Sequence, residues 1–196
     1  MFNFLVLTIL VTISFFINAD EIQLADSHGP ISIMGDHMHK KGEFMFSYRF
    51  GKMNMNNVAN GTKKIDTNSV MSSPNGASNN LGNYMNAPIS MKMNMHMFGG
   101  MYAPSDNLTF MIMTSYQEKV MTQQRMPMAG GSRFDVNSSG FSDTRISTLI
   151  NILNNDLTKT HIGTVLSLPT GSIDQRDTTP ASSNTRLGYS MQNGTG

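Results

Sequence analysis

The chain contains no cysteine and no tryptophan, and it carries little charge. Without cysteine it has no disulfide bond, no thiolate nucleophile and no cysteine-ligated zinc or iron–sulfur site. Charged residues make up 14% of its 196 residues, and the formal net charge is +1. A protein dedicated to nucleic acid would show a basic patch or stripe instead. The composition therefore excludes thiol chemistry and argues against nucleic acid as a partner.

Long apolar runs are absent after the first segment of the chain. Residues 4–17 form an apolar run with the length of a signal-peptide core, which is short for a transmembrane helix of about 20 residues. Ala19 lies where a signal peptidase would cut, and Asp20 and Glu21 follow it. No Lys or Arg precedes the run, so an uncleaved anchor stays the alternative. We predict a signal peptide at residues 1–19 and no helical membrane span after it.

The remaining sequence is rich in methionine, with 19 residues in the chain, and alternates repeatedly between apolar and polar residues. Runs with this period of two cover residues 43–50, 89–97, 108–119, 142–153 and 161–168, and a sixth begins near Thr185 and passes through Leu187 and Tyr189. Successive side chains of a strand point to opposite faces, so each run predicts a strand with one apolar and one polar face. Soluble β-sandwiches alternate as well, so alternation alone does not identify the fold.

The lengths of the connections between these runs favour a membrane barrel. Long connections at 52–88, 122–140 and 170–184 alternate with short ones at 103–107 and 154–158. Outer-membrane barrels have the same rhythm, with long extracellular loops and short periplasmic turns. Because lipid offers no hydrogen-bond partner to the backbone, spanning strands must close into a barrel. The sequence therefore predicts an all-β fold, an antiparallel transmembrane β-barrel in the outer membrane of a Gram-negative bacterium.

About six strands are too few to close this barrel, because known barrels start at eight strands and usually have an even number. The last residues, 191–196, contain no apolar, aromatic-ended strand. We therefore predict an N-terminal fragment of a barrel. Its segments are a signal peptide at 1–19, an N-terminal periplasmic or plug segment at 20–42, and a partial outer-membrane barrel at 43–196.

Three stretches carry a resemblance to a known family. Residues 35–50 resemble the opening strand of the outer-membrane proteins associated with the meta-pathway of phenol degradation. Residues 166–172 resemble that family's strand ending in Leu-Pro-Thr-Gly, and residues 189–196 are similar to the start of a later family segment. The resemblance implies an outer-membrane barrel that acts as a channel or transporter for small organic molecules. It transfers no functional residue to this chain.

A group of histidines and methionines before the first strand suggests metal binding. The candidate ligands are His28, Met34, Asp36, His37, Met38 and His39. Imidazole suits copper or zinc, and a thioether suits Cu(I). The alternative is a segment that is solvated or fills the lumen, and we favour it because the spacing specifies no ligand geometry. We therefore predict no metal and no cofactor.

Methionines at alternate positions of the second run share one face with Ile89. They are Met91, Met93, Met95 and Met97. Methionine is apolar and flexible, so contact with lipid or packing explains them more simply than copper does.

Six charged or titratable residues fall on the polar faces of the predicted strands. They are Glu43, Arg49, Lys92, His96, Asp143 and Arg145. In an open channel they would line the lumen and tune selectivity. In a narrow barrel they would form ion pairs that fill the interior. The sequence supports both interpretations equally.

The sequence leaves three hypotheses for the function. The first is passage of small solutes, hydrophobic or aromatic ones included, across the outer membrane. The second is a Met- and His-rich protein that binds copper, and the third is a structural barrel with a filled lumen. No phosphate-binding glycine loop and no Gly-x-Ser-x-Gly elbow is present, so we predict no enzyme. The expected partners are membrane lipid and a small-molecule solute, and the oligomeric state is open.

Overall fold

The computed structural model describes residues 35, 37–76, 82–154 and 159–196, with only the backbone of residues 154 and 159. The predicted signal peptide at 1–19 lies outside the described residues. So do most of the segment 20–42 and three of its candidate metal ligands, namely His28, Met34 and Asp36.

The described chain is built almost entirely of strands. In chain order they are β1 (Phe44–Asn56), β2 (Val58–Asn60), β3 (Lys63–Ile65), β4 (Asn86–Ser105), β5 (Leu108–Arg125), β6 (Arg133–Phe141), β7 (Thr144–Asn154), β8 (Lys159–Leu168), β9 (Arg176–Thr179) and β10 (Ser182–Arg186). A short helix, α1 (Thr67–Met71), begins after Asp66, whose carboxylate accepts a hydrogen bond from the Ser69 N–H at 2.7 Å. Single 3-10 turns occupy Pro127–Ala129 and Tyr189–Met191.

Six strands form the main sheet. Their order is β1-β4-β5-β7-β8, and β6 pairs with β5 beside this path. Among the described residues β1 and β8 do not pair with each other, so the sheet is open. Two separate hairpins accompany it, β2 with β3 and β9 with β10. The predicted all-β, antiparallel class is confirmed.

The alternating runs of the sequence correspond to the long strands. All five runs from 43–50 to 161–168 lie almost wholly within strands. The strands extend further than the alternation does: β4 has 20 residues where the sequence pattern covers nine. Pairing with neighbours supplies backbone hydrogen bonds beyond the residues whose side chains alternate clearly.

The predicted long connection at 122–140 is wrong. Strands β5 and β6 form a hairpin in continuous antiparallel register from Tyr116 opposite Phe141 to Gln124 opposite Arg133. The turn between them spans only residues 126–132. Gly130 in this turn has a φ of 107°, a conformation that glycine adopts at little cost.

The sixth predicted strand, from Thr185 onwards, is also wrong as a member of the main sheet. Residues up to Arg186 belong to β10, whose partner among the described strands is β9, and Tyr189 begins a 3-10 turn. The β9–β10 hairpin docks on β6, where the Asp177 carboxylate accepts a hydrogen bond from the Asn137 N–H at 2.7 Å. This bond is the main reason that the pKa of Asp177 is held below its usual value.

The chain separates into two compact units. The first takes in the described residues within Met1–Phe46, Gly100–Ile112 and Ile146–Leu166. The second comprises Ser47–Gly99, Met113–Arg145 and Ser167–Gly196. Each unit contains portions of the long strands.

Candidate functional site

The first unit exposes an apolar side of its sheet. Phe46 on β1 is 75% exposed, and the neighbouring Phe44 ring stacks on Tyr102 of β4 with ring centroids 4.3 Å apart. Gly100 leaves space between two large side chains, since a Cβ atom there would lie 3.7 Å from both Phe46 and Ile112. An apolar pocket of about 340 Å³ opens among these residues. This side of the unit is therefore a largely apolar exposed surface.

The second unit also exposes aromatic side chains. Tyr48 and Phe50 of β1 and Phe98 of β4 all remain accessible. His96 lies among them: its Nδ1 atom is 2.8 Å from the Tyr48 hydroxyl, and its ring centroid is 5.1 Å from that of Phe50. The rings of Tyr48 and Phe98 are 5.5 Å apart. The result is an exposed aromatic surface with a polar tip at Tyr48 and His96.

Burial along β5 differs from that in a water-soluble sheet. A half-solvated antiparallel sheet normally buries its apolar face and exposes its polar one. On β5 the apolar Phe110 and Ile112 are exposed, whereas Thr109, Ser115 and Lys119 are buried. The methionines of the same side, Met111 and Met121, are buried with them. The covered side of the strand therefore mixes polar and thioether side chains, while large apolar side chains lie on the exposed side.

In the first unit, the covered side contacts the segment that precedes β1. The His39 N–H lies 3.4 Å from the Thr109 hydroxyl, and His161 Nε2 lies 2.8 Å from the carbonyl oxygen of Gly35. Gly35 also approaches Leu149, because a Cβ atom on the glycine would lie 3.4 Å from that side chain. The described part of the predicted segment 20–42 therefore packs on the covered side of this unit.

In the second unit, the covered side contacts a segment near the end of the chain. Met191 is 1% exposed and lies in a buried cluster with Met121, Val136 and Leu187. Met91 and Phe134 pack against the same cluster. We call residues 187–195 the covering segment.

Two charged side chains hold the covering segment by hydrogen bonds. The Lys119 ammonium donates to the carbonyl oxygen of Gln192 at 2.5 Å and approaches that of Ser190 at 3.4 Å. The Asp143 carboxylate accepts from the Thr195 N–H at 2.9 Å and from the Thr195 hydroxyl at 2.5 Å. A buried charge is tolerated when hydrogen bonds of this kind satisfy it. The covering segment is thus part of the packed structure of this unit.

The predicted orientation of β4 is wrong. His96 was expected on the side opposite the aromatic residues, yet it contacts Tyr48. A Cβ atom at Gly51, the side of β1 away from Tyr48, would lie 3.1 Å from Met95 and 3.4 Å from Met97. The methionines of β4 therefore face the covered side.

The six predicted lumen-lining residues are distributed over both sides of the sheet. Glu43 and Arg49 are half-buried on the side of the methionines, and Asp143 is buried and bound to the covering segment. Arg145 is exposed, and Lys92 and His96 belong to the aromatic side. The structure therefore does not bring the six together.

The described part of the histidine cluster contains two adjacent imidazoles. The rings of His37 and His39 are 4.9 Å apart in a T-shaped arrangement, and His39 Nδ1 lies 3.4 Å from a carboxylate oxygen of Glu43. Met38 lies between the two histidines in sequence. Among the described residues there is no group of three or more His, Cys, Asp or Glu side chains that could hold a metal ion. The copper hypothesis stays a prediction.

Sequence reasoning did not single out Lys119 or the covering segment. The sequence feature that could have identified Lys119 is its position in the alternation, which places it on the same side of β5 as Ser115, Gln117 and Met121. A lysine surrounded by small polar and thioether side chains at alternate positions indicates a partner on that side. The identity of this partner required the fold.

Within the described part of the chain, no helix is long and apolar enough to cross a membrane. Comparison with protein families, curated proteins and solved structures found no match to this chain.

Proposed function

We propose that this chain forms part of an outer-membrane β-barrel of a Gram-negative bacterium and that small solutes pass along its methionine-bearing side. The observation that carries the proposal is the exposure of aromatic and isoleucine side chains along one side of the long strands. On the other side of β5, Thr109, Ser115 and Lys119 are covered together with methionines. A bilayer is the solvent in which this arrangement is stable.

The same exposure of apolar side chains would be unfavourable in water. Apolar surface left in water costs roughly 25 cal/mol per Å² relative to burial, and soluble monomers rarely expose apolar patches of more than a few hundred Å². Aromatic residues with a polar tip, such as Tyr48 beside His96, suit the boundary between the hydrocarbon and the headgroups. The proposal includes further strands that pair with β1 and β8, because a free strand edge is not tolerated in lipid.

The class of solute follows from the covered side and from the family resemblance. Thioether side chains of β4 and β5 lie on this side, and methionine adapts to apolar ligands of varied shape. The resemblance to outer-membrane proteins of the phenol meta-pathway implies small organic molecules. We therefore propose hydrophobic or aromatic solutes.

The absence of tryptophan allows a direct test of which side meets lipid. Phe46→Trp places the only indole on the exposed side of β1. After reconstitution in phosphatidylcholine vesicles, we expect blue-shifted emission and strong quenching by lipids with brominated acyl chains, because the indole lies in hydrocarbon. The measurement is steady-state fluorescence with and without the brominated lipid.

Phe134→Trp is the matched control, because Phe134 packs against the covered cluster of the second unit. Its emission should be insensitive to brominated lipid. Quenching of the Phe46→Trp protein by aqueous acrylamide, with no effect of brominated lipid, would contradict the membrane proposal.

A structural barrel with a filled lumen is the second candidate, and the covering segment favours it. Bonds from Lys119 and Asp143 hold this segment across the side that a solute would use. Current recorded through planar bilayers separates the two candidates. Discrete steps from the inserted protein support solute passage, whereas an inserted protein without steps supports the filled lumen.

A further inference from the structure

A basic pocket lies in the second unit, lined mainly by residues that share the orientation of its aromatic surface. It has a volume of about 560 Å³. Four cationic residues line it, namely Lys52 of β1, Lys92 of β4, Lys119 of β5 and Arg176 of β9, together with a single carboxylate, Glu118 of β5. The Lys119 ammonium is already bound to the carbonyl oxygen of Gln192. Neither the proposed solute pathway nor the family resemblance accounts for this concentration of positive charge.

The pocket begins where the aromatic surface of this unit ends. On β1, Lys52 follows Phe50 at the next position with the same orientation. On β4, Lys92 shares the orientation of His96, and on β5, Glu118 comes two residues after Tyr116. Lys52, Lys92 and Glu118 therefore add charge beyond the aromatic residues of their strands, as expected near the level where hydrocarbon gives way to headgroups.

The side chains of the pocket leave hydrogen-bond donors available. Within the described residues, neither Lys52 nor Lys92 forms an ion pair with Glu118. Arg176 uses one guanidinium nitrogen on the carbonyl oxygen of Asn184, at 3.3 Å. Asn137 and Ser139 add polar groups to the wall. Apart from Lys119, three cations stand against one carboxylate, and this net positive charge suits an anion.

The ends of β1 and β4 that carry Lys52 and Lys92 are joined by the long connection at residues 57–85. In outer-membrane barrels the long connections are extracellular. In the proposed outer-membrane barrel, the pocket therefore lies at the depth of the outer leaflet.

We infer that this pocket binds the phosphate group of an outer-leaflet glycolipid, with the lipid's acyl chains lying along Phe50 and Phe98. The inference rests on the proposed membrane location. Lysine offers a point charge and arginine a planar fork, and both bind phosphate by charge-assisted hydrogen bonds. The adjoining aromatic surface can contact acyl chains, which free phosphate lacks. We therefore propose a lipid as the ligand.

The test compares two variants that each remove two positive charges from the second unit. Lys52→Gln with Lys92→Gln alters the pocket, and Lys63→Gln with Lys64→Gln alters the β2–β3 hairpin. The full-length protein in detergent micelles is titrated with diphosphorylated lipid A, and binding is measured by native mass spectrometry. We expect the pocket variant to bind about tenfold more weakly or worse, and the hairpin variant to bind like the parent.

Dephosphorylated lipid A and inorganic phosphate are the two further probes. The inference requires weaker binding of the dephosphorylated lipid and little competition from millimolar phosphate. Equal binding of both lipids, equal loss in both variants, or full displacement by inorganic phosphate would each overturn it. The Phe46→Trp emission in vesicles reports separately on membrane insertion, so failure of this inference is distinguishable from failure of the proposed function.

Discussion

Replacing Ile112 by Arg is expected to reduce the stability of the membrane-inserted protein by about 2–4 kcal/mol. Ile112 is 53% exposed on the apolar side of the first unit, next to Phe46 and Phe110. On the proposed lipid-facing side, a guanidinium must either lose its hydration or bring water into the hydrocarbon, and both cost free energy. The measurement is equilibrium unfolding by guanidinium chloride in phospholipid vesicles, compared with the parent.

Met128→Arg is the control for this substitution. Met128 is 95% exposed in the turn between β5 and β6, where water is expected whether or not the strands lie in lipid. Its stability should match that of the parent. An Ile112→Arg protein that folds without lipid and is more soluble than the parent would show instead that this side faces water, and the membrane proposal would fail.

Replacing Met191 by Ala is expected to destabilise the docking of the covering segment by about 2–5 kcal/mol. Met191 is 1% exposed among Met121, Val136 and Leu187, so truncation leaves a cavity in the second unit. The bonds from Lys119 and Asp143 then hold a segment that has lost its apolar anchor. The rate of proteolytic cleavage within residues 187–195 of the reconstituted protein should rise.

Met128→Ala provides the same chemical change at an exposed site and should leave the cleavage rate unchanged. Bilayer current adds a functional measurement to this pair. If the covering segment fills the lumen, Met191→Ala should increase the frequency of conducting steps. Equal protection of the segment in parent and Met191→Ala protein would contradict its docking by the methionine cluster.

The strands themselves were predictable from the sequence because a period of two is a local property. Each residue in an extended chain points opposite to its neighbours, so Phe44, Phe46 and Tyr48 had to share one side of β1. The same reasoning located β5, β7 and β8. It also supported the antiparallel class, because short connections such as that after β4 join antiparallel neighbours.

The orientation of β4 was not predicted correctly because both of its sides carry apolar residues. Over residues 89–97 the methionine side appears the more apolar one. The continuation of the strand contradicts this interpretation, since Phe98 and Tyr102 share the orientation of His96. Which side faces the aromatic residues of β1 is set by the pairing of the two strands. This pairing is a non-local contact that alternation within β4 does not contain.

Strand β6 was missed for a related reason. Residues 133–141 are rich in Asn, Ser and Gly, which favour turns in isolation. In the fold they pair with β5 over nine residue pairs, and Val136 reaches the buried cluster. Backbone hydrogen bonds to an existing neighbour override the weak local preference for a turn.

The sequence by itself determined the absence of thiol chemistry, the all-β class and the positions of most long strands, because composition and alternation are properties of the chain alone. Only the tertiary structure decided which side of each strand is covered, that Lys119 and Asp143 hold the covering segment, and that Lys52, Lys92 and Arg176 share a pocket. These features depend on contacts between residues far apart in the chain. Such contacts follow from strand pairing and packing, which local patterns do not specify.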